Sequence, residues 1–494
     1  MHDTDFDVLI VGAGLSGIGA AVHLKKNCPN ERFAILEGRE AIGGTWDLFR
    51  YPGIRSDSDM YTLGYNFKPW TSAKAIADGP SIRSYVRETA DEHDLNRHIH
   101  YGHKVAAAKW DSTAARWTIT TTTKNGSATF TCRFLFMCSG YYNYTEAYRP
   151  TWDGEADFKG TIIHPQFWPE NLDHAGKRVV VIGSGATAVT IVPVMAETAA
   201  HVTMLQRSPT WMASGASSDW IANVLKAILP AQMAYKLVRW KNVSFGMWFY
   251  KQTRVNPGRV RETMLKRLAK QLPANYDIKT HFTPSYNPWD QRLCLVPDGD
   301  LFKSISDGKT DIVTDHIEKF EAGGIRLKSG KLLEADLIVT ATGLKLQAMG
   351  GMTITVDGKA HIPGESLAYK GMMFSGVPNL AQSFGYINAS WTLRSDLIAG
   401  YVCRLLNHMR ATGVDSVTPT PAADVVPARL MMDLQSGYVQ RGSDVMPKSG
   451  NRAPWVVTAN YTYDRKELQD GPVTDEVVFA KAQAAPAALL AAAE

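Results

Sequence analysis

Two apolar runs of strand length stand out because the same pattern follows each. Phe6-Asp7-Val8-Leu9-Ile10-Val11 leads into Gly12-Ala13-Gly14-Leu15-Ser16-Gly17, then a helix-like stretch over 18–26, then a second apolar run over 32–36 that closes on Glu37. Arg178-Val179-Val180-Val181-Ile182 leads into Gly183-Ser184-Gly185-Ala186-Thr187-Ala188 and reaches a further run over 202–206 that closes on Arg207. Both read as β-α-β units opening on a glycine turn. Two more runs end in a small residue and a glycine: 134–140, closing on Ser139-Gly140, and 337–343, closing on Thr342-Gly343. They fall where one unit gives way to the other, and so predict two crossings and a discontinuous first domain.

The expected fold class is α/β, with two Rossmann-like dinucleotide-binding domains. The first spans 1–144 and 345–480, the second 145–210 and 291–344. From 211 to 290 the strand pattern vanishes. Helical apolar spacing over 220–229 and 259–272, separated by the aromatic stretch Trp240, Phe245, Trp248, Phe249 and Tyr250, predicts a helical insertion in the second domain. The tail 481–494, continuing from Ala480, is alanine-rich and of low complexity, and reads as a frayed helix without assigned function.

A lone G-x-G-x-x-G is a weak signal. Strand before, helix after and an acid about 20 residues on make it specific. Gly12 suits the tight turn, Gly14 lets the backbone approach a pyrophosphate, Gly17 permits close helix–strand packing, and Ser16 lies within the turn. Glu37 suits a ribose 2′-hydroxyl and would repel a 2′-phosphate. The second motif is G-x-G-x-x-A, with Arg207 in the acidic slot and Ser208 beside it. A charge-assisted Arg–phosphate bond contributes roughly 1.5–3 kcal/mol, enough to select NADPH over NADH. The chain is thus expected to bind two dinucleotides, FAD at the first site and NADPH at the second.

Composition narrows the class. With 45% hydrophobic and 20% charged residues, the chain has an ordinary globular balance. Five cysteines without a C-x-x-C argue against a disulfide scaffold, a zinc ribbon and a dithiol reductase, and no metal site is expected. No apolar stretch approaches a membrane span and no leader is evident, so a cytoplasmic enzyme is the expectation. The net charge of +5 is too mild for a nucleic-acid binder. It is unevenly placed: 231–270 holds ten Lys/Arg against one acid, Glu262, a net of +9 that leaves −4 for the rest. A solvated helix face is the plainer account. Peripheral contact with an anionic membrane surface is the second, and attraction of NADPH the third.

Just ahead of the second glycine motif, Phe158-Lys159-Gly160-Thr161-Ile162-Ile163-His164-Pro165-Gln166-Phe167-Trp168-Pro169 matches F-x-G-x-x-x-H-x-x-x-W-P. This resembles the fingerprint of type I Baeyer–Villiger monooxygenases, class B flavoprotein monooxygenases. The segments Gly43-Gly44-Thr45-Trp46-Asp47-Leu48 through Arg55-Ser56-Asp57, and Asn287-Pro288-Trp289-Asp290-Gln291-Arg292, resemble the ethionamide-activating subgroup. The resemblance implies an enzyme in which NADPH reduces FAD, O2 forms a C4a-peroxyflavin, and one oxygen atom enters a ketone to give an ester or lactone, with sulfides and thioamides as further substrates. By the same resemblance Arg292 is the active-site arginine and Asp57 the carboxylate that holds it. Thr45, Trp46 and Leu48 line the flavin, Val105 lies on its adenine side, and Arg55, Ser56 and Asp57 lie near NADP. Phe158, Gly160, His164 and Trp168 carry the fingerprint, with His164 conformational rather than proton-transferring. Asn388 and Trp391 form part of a substrate wall. Relatives often carry Lys before the active-site Arg; here Gln291 stands there, which places NADPH selectivity more heavily on Arg207. The rival classes are a flavin monooxygenase confined to sulfur or nitrogen, a disulfide reductase, for which no C-x-x-C exists, and a non-oxygenating flavoprotein redox sensor.

Overall fold

The structure, a computed structural model, describes residues 4–432 and 434–483. β1 (Asp5–Val11) is buried on both faces because its apolar run is unbroken from Val8 onward. Val8 and Ile10 enter one core, while Leu9 and Val11 enter another on the opposite side of the sheet. It lies between β2 (Phe33–Leu36) and β3 (Gly126–Met137), parallel to both, with Val8 opposite Phe33 and Phe134. α1 (Leu15–Asn27) forms the crossover and packs on the first core. Antiparallel strands Lys104–Asp111 and Arg116–Thr123 widen the sheet, pinned by the cross-strand pair Trp110 and Trp117 at 5.4 Å between rings. Strands Thr353–Val356 and Leu380–Gln382 return to the same sheet late in the chain, and the short Ile99–His100 and Lys359–His361 bring it to nine strands.

β4 (Arg178–Ile182) repeats the arrangement, with Val179 and Val181 in one core and Val180 and Ile182 in another. α2 (Ala186–Met195) leads to β5 (His201–Gln206). β4 lies between β5 and β6 (Leu337–Thr340) in a five-stranded parallel sheet whose edges are Thr310–Thr314 and Thr161–Ile163. Between the two sheets the connecting strands Tyr142–Ala147 and Leu344–Leu346 pair antiparallel with each other.

The insertion is helical, but the aromatic stretch is no break in it. α3 (Trp220–Ile228) is followed by α4 (Ala231–Val255), one 25-residue helix containing every one of those aromatics, and then by α5 (Pro257–Ala269). Nothing in 231–255 stops a helix except the single Gly246, and Pro257 supplies the restart. The insertion also bridges the two units. Ala222, Tyr235 and Val238 join the core of the first unit, whereas Leu268, Leu272 and Phe282 join that of the second. Arg239 Nη1 donates to the carbonyls of Tyr61 and Gly64, both at 2.8 Å, and so fixes α4 to the first unit. Near the C-terminus, Val477–Ala480 is a strand paired with Ser416–Pro419, so the expected helix does not begin at Ala480. Residues 484–494, most of the predicted tail, lie outside the described residues. α6 (Trp391–Thr412) lies along α1, and the short α7 (Gly437–Arg441) follows it in the chain. Among the described residues no helix is long and apolar enough to cross a membrane, and no cluster of metal-ligating side chains occurs.

Candidate active site between two dinucleotide cradles

One cavity of about 1100 Å³ runs from the N-terminus of α1 to that of α2. A single small-molecule site usually occupies roughly 300–1,000 Å³. Each helix begins at a glycine, Gly14 and Gly185, without a side-chain cap and without an acid in its first turn. Their free N–H groups and positive dipole ends are therefore presented to anions in the cavity. Gly12 has φ +104°, and a Cβ there would lie 2.7 Å from the Cys138 carbonyl oxygen. Gly17 does not face the cavity. A Cβ there would fall 1.8 Å from the Gly12 carbonyl oxygen, so its role is to let α1 close on β1.

Glu37, at the end of β2, lines the first cradle. Its Oε2 accepts from the Ala13 N–H at 2.7 Å and its Oε1 from the Arg39 N–H at 2.9 Å. Burial pushes its pKa up, and those two N–H groups oppose the shift. Each carboxylate oxygen keeps acceptor capacity for a hydroxyl. Thr45, Trp46 and Val105 line the same cradle, and Thr45 Oγ1 is 3.0 Å from Tyr144 Oη. Leu48, expected beside them, does not line it. The turn Thr45–Leu48 presents Thr45, Trp46 and the following Phe49 to the cavity and directs Leu48 away.

In the second cradle Gly183, Ser184, Gly185, Ala186 and Thr187 line the cavity together with Arg207 and Ser208. Ser184 Oγ lies 2.8 Å from Thr210 Oγ1 and donates to the Ser208 carbonyl at 3.1 Å. Arg441, on α7, reaches this end with its guanidinium 3.4 Å from the centre of the Tyr148 ring. Burial, and to a smaller degree the charge of Arg207, lower its pKa. Two arginines thus stand near each other at an anion-ready helix end. Arg55, Ser56 and Asp57 also line the cavity, and Arg55 keeps a buried Nη2 without a partner although its Nη1 pairs with Asp300.

Between the cradles Arg292 Nη2 donates to Asp57 Oδ2 at 2.6 Å. The Asp57 carboxylate pushes the Arg292 pKa well above its ordinary value, so this cation is permanent. The side chains remain 33% and 38% exposed, both in the wall of the cavity. Around them stand aromatics: Trp391 stacks on Tyr141 at 5.2 Å and donates from Nε1 to Ser16 Oγ at 2.7 Å, and burial pushes the Tyr438 phenol up to about 12. The segment carrying Arg292 is held from α4, where Arg254 Nη1 donates to Asp290 Oδ1 at 2.9 Å and Tyr250 meets the Trp289 ring edge-on at 6.1 Å. Trp289 is kept at φ +69°, a conformation that bulky residues rarely adopt. Asn388 does not line the cavity: its Nδ2 donates to the Ala459 carbonyl at 3.0 Å, which turns the side chain toward the C-terminal segment. Only Trp391 of the expected pair reaches the wall.

The fingerprint residues lie outside the cavity and join the two crossings. His164 follows the edge strand Thr161–Ile163; its Nδ1 accepts from the Gln166 N–H at 3.1 Å, so its Nε2 carries the proton and donates to the Gly343 carbonyl at 3.2 Å. Burial lowers its pKa, which favours this neutral form. Gln166 Nε2 in turn donates to the Asn143 carbonyl at 2.9 Å, on the other crossing. Phe158 is buried in the second unit, Trp168 packs at the rim of its other core, and a Cβ at Gly160 would lie 2.4 Å from the Asp336 carbonyl oxygen. Tyr141, Tyr142, Tyr438 and Arg441 belong to the site but were not among the expected residues. The signal for the first two was the aromatic-rich Tyr141-Tyr142-Asn143-Tyr144 directly after a crossing; α7 carries no comparable signal.

Two glycine-cradled helix ends on one cavity define a protein built to hold two dinucleotides. Residues 76–256 match the model of the flavin-binding monooxygenase-like family, and residues 10–73 that of an NAD(P)-binding Rossmann-like domain. The chain is 54% identical over 477 residues to the FAD-containing monooxygenase EthA of Mycobacterium tuberculosis, covering 96% of this chain and 98% of that protein. It is 51% identical over 479 residues to a probable FAD-binding monooxygenase, AlmA, of an Acinetobacter species, covering 96% and 95%. Its fold resembles that of an oxidized steroid monooxygenase bound to NADP, with a TM-score of 0.79 at 22% identity, covering 97% of this chain and all of that one. The chain belongs to the family of FAD-containing monooxygenases of the EthA type, and is an enzyme of that class.

Proposed function

We propose that the enzyme is an NADPH-dependent Baeyer–Villiger monooxygenase that inserts one oxygen atom of O2 into small apolar ketones, giving esters or lactones, and also oxidises sulfides and thioamides. The observation that carries this reading is the Arg292–Asp57 pair, set between the two cradles in an aromatic wall. The donor sets fit the cofactors. The α1 end and Glu37 suit the pyrophosphate and ribose of FAD, while the α2 end, Ser208, Arg207 and Arg441 suit NADPH and its 2′-phosphate. Arg441 stands in for the cation that Gln291 does not provide. FAD, reduced by NADPH, supplies the activation of O2.

The chain's own residues do the rest. Arg292 presents a fixed guanidinium where negative charge develops on the oxygens of the reacting carbonyl, and being permanently protonated it neither takes nor gives a proton there. Asp57 orients that fork and balances its charge. Trp391, Tyr141 and Tyr438 exclude water and favour an apolar substrate. His164, neutral, bonded to the Gly343 carbonyl on one crossing and through Gln166 to that of Asn143 on the other, transmits position between the crossings and performs no proton transfer.

A panel of open-chain aliphatic and aryl ketones and of aryl sulfides, scored by gas chromatography for product formed per NADPH consumed, tests the proposal. Ester formation coupled to NADPH supports it. Sulfoxide without ester assigns the enzyme to heteroatom oxidation instead, and NADPH oxidation without any oxygenated product assigns it to neither.

A further inference from the structure

Nine of the fourteen exposed large apolar side chains among the described residues lie between 220 and 255. On α3, Trp220, Val224 and Ile228 recur at a spacing of one helical turn, with Trp220 73% and Ile228 69% exposed. On α4, Met233, Leu237, Trp240 and Trp248 continue the stripe, with Phe245 5.8 Å from Trp248. The opposite side of α4 is already spoken for by Tyr235, Val238 and Arg239 in the core of the first unit. A helix that is apolar on both sides, with one side open to water, has an unpartnered face.

The charge around this face indicates what covers it. Residues 220–255 hold six Lys/Arg and no acid; Arg239 turns inward and Lys241 and Arg254 pair with Asp219 and Asp290, which leaves Lys226, Lys236 and Lys251 as the cations of this face. A second cavity, of about 630 Å³, opens beside Trp240 and is walled by Lys236, Arg239 and Arg465, with no carboxylate among its lining residues. Arg239 is committed inward, to the Tyr61 and Gly64 carbonyls and to Asp396, whereas Lys236 is exposed. A second copy of this chain is a poor occupant, because a two-fold contact would set lysines against lysines with no carboxylate from 220–255 to meet them. Aromatic side chains rimmed by lysine and arginine suit the boundary between anionic headgroups and acyl chains.

We propose that the α3–α4 face docks on an anionic lipid bilayer, with Trp220, Trp240, Phe245 and Trp248 at the headgroup level and a lipid phosphate in the cavity between Lys236 and Arg465. The placement has a use: the far end of α4 holds the Trp289–Asp290 segment that carries Arg292, so the docked face is in direct structural continuity with the site. The inference stands independently of which apolar substrate the enzyme oxidises.

Flotation of the holoenzyme with phosphatidylcholine vesicles, with and without roughly a third phosphatidylglycerol, tests it. We expect at least ~10-fold more protein on the anionic vesicles, with the excess lost in high salt. Trp240→Glu/Trp248→Glu lowers recovery on both vesicle types at least ~10-fold, and Lys236→Gln/Arg465→Gln abolishes the anionic preference, both variants retaining bound flavin and ketone turnover. Equal recovery of the wild type on the two vesicle types overturns the proposal. So does wild-type recovery of the double tryptophan variant. A wild-type dimer that this variant disperses, without vesicle binding by either, overturns it in favour of self-association.

Discussion

Replacing Arg292 by alanine separates a catalytic ion pair from a merely structural one. The 2.6 Å contact with Asp57 joins two opposite charges in the wall of the cavity, each about a third exposed. With charge centres ~4 Å apart and an effective dielectric constant of ~20, their attraction is about 4 kcal/mol. Arg292→Ala removes it, leaves the Asp57 carboxylate uncompensated, and makes the surroundings of the reacting carbonyl more negative by one unit of charge. Loss of one preorganised donor to a developing oxyanion costs ~10²–10³ in turnover, and the stranded carboxylate adds to that. We therefore expect ester yield per NADPH to fall at least ~10²-fold, with NADPH oxidation continuing as unproductive oxygen reduction. Flavin stays bound, because neither residue builds the α1 cradle. The double variant Arg292→Ala/Asp57→Asn discriminates further. If the pair only stabilises the fold, removing both charges restores coupling along with stability; if Arg292 meets developing charge, thermal stability recovers and ester formation does not. Gas chromatography of the ester against NADPH consumed, with flavin absorbance as the loading control, reads the coupling, and a melting temperature reads the stability. Normal coupling in Arg292→Ala, or recovered coupling in the double variant, refutes the role.

Arg207→Ala should raise the KM for NADPH by roughly 10–150-fold with little change in kcat, since a 2′-phosphate is held alike throughout the cycle; an unchanged NADPH/NADH preference rejects the assignment. Arg441→Gln should erode the same preference by a smaller factor while leaving NADH kinetics alone, which a side-by-side titration of the two nucleotides measures. Gly17→Ala should yield little folded protein, because its Cβ would fall 1.8 Å from the Gly12 carbonyl oxygen, and overpacking of this kind costs about 1–3 kcal/mol or more; a normal melting temperature and flavin content in that variant contradict the close packing of α1 on β1. For His164, burial sets the folded pKa below the ordinary 6.5, so the unfolded chain binds the extra proton more readily. The stability it contributes is complete above pH 6.5 and is lost as pH falls through the folded value; His164→Gln should flatten that part of a melting-temperature-against-pH profile, and a profile unchanged by the substitution would count against the neutral Nε2–H assignment.

What the sequence disclosed and what it withheld divide along a physical line. Gly12, Gly14, Glu37, Gly183 and Arg207 were legible because a glycine turn between strand and helix, with its strand-end residue about 20 positions on, is a local arrangement fixed by backbone sterics. Asp57 and Arg292 lie far apart in the chain, and no local rule joins them; they were paired through family resemblance, and the 2.6 Å contact is what the fold adds. The aromatics misled in both directions. Trp240 and Trp248 suggested a break between helices and proved to be the outer face of one helix, while Tyr438, on an α7 that carries no signal in the sequence, lines the cavity. An aromatic side chain reads alike whether it fills a core, faces a ligand or awaits a partner, because periodicity reports its face and not what lies opposite.

This division extends to how the two cofactor sites are assembled. The first cradle draws Gly12, Gly14, Glu37, Thr45, Trp46 and Val105 from one contiguous stretch of the first sheet and its loops, so it is complete once that sheet folds. The second takes Gly183 to Thr187 and Arg207 from the second sheet but Arg441 from α7, near the end of the chain. α7 is seated by a small separate core in which Val439, Leu434 and Met446 meet Leu346 and Tyr141. The second arginine of the proposed NADPH end is therefore in place only when that C-terminal segment is packed down, whereas none of the residues named for the first cradle lies on α7. Loss of packing at Val439 or Met446 should accordingly weaken the hold on a 2′-phosphate before it disturbs the flavin. On the proposed reading, the charge selectivity that a lysine at position 291 would supply is here tied to the docking of α7.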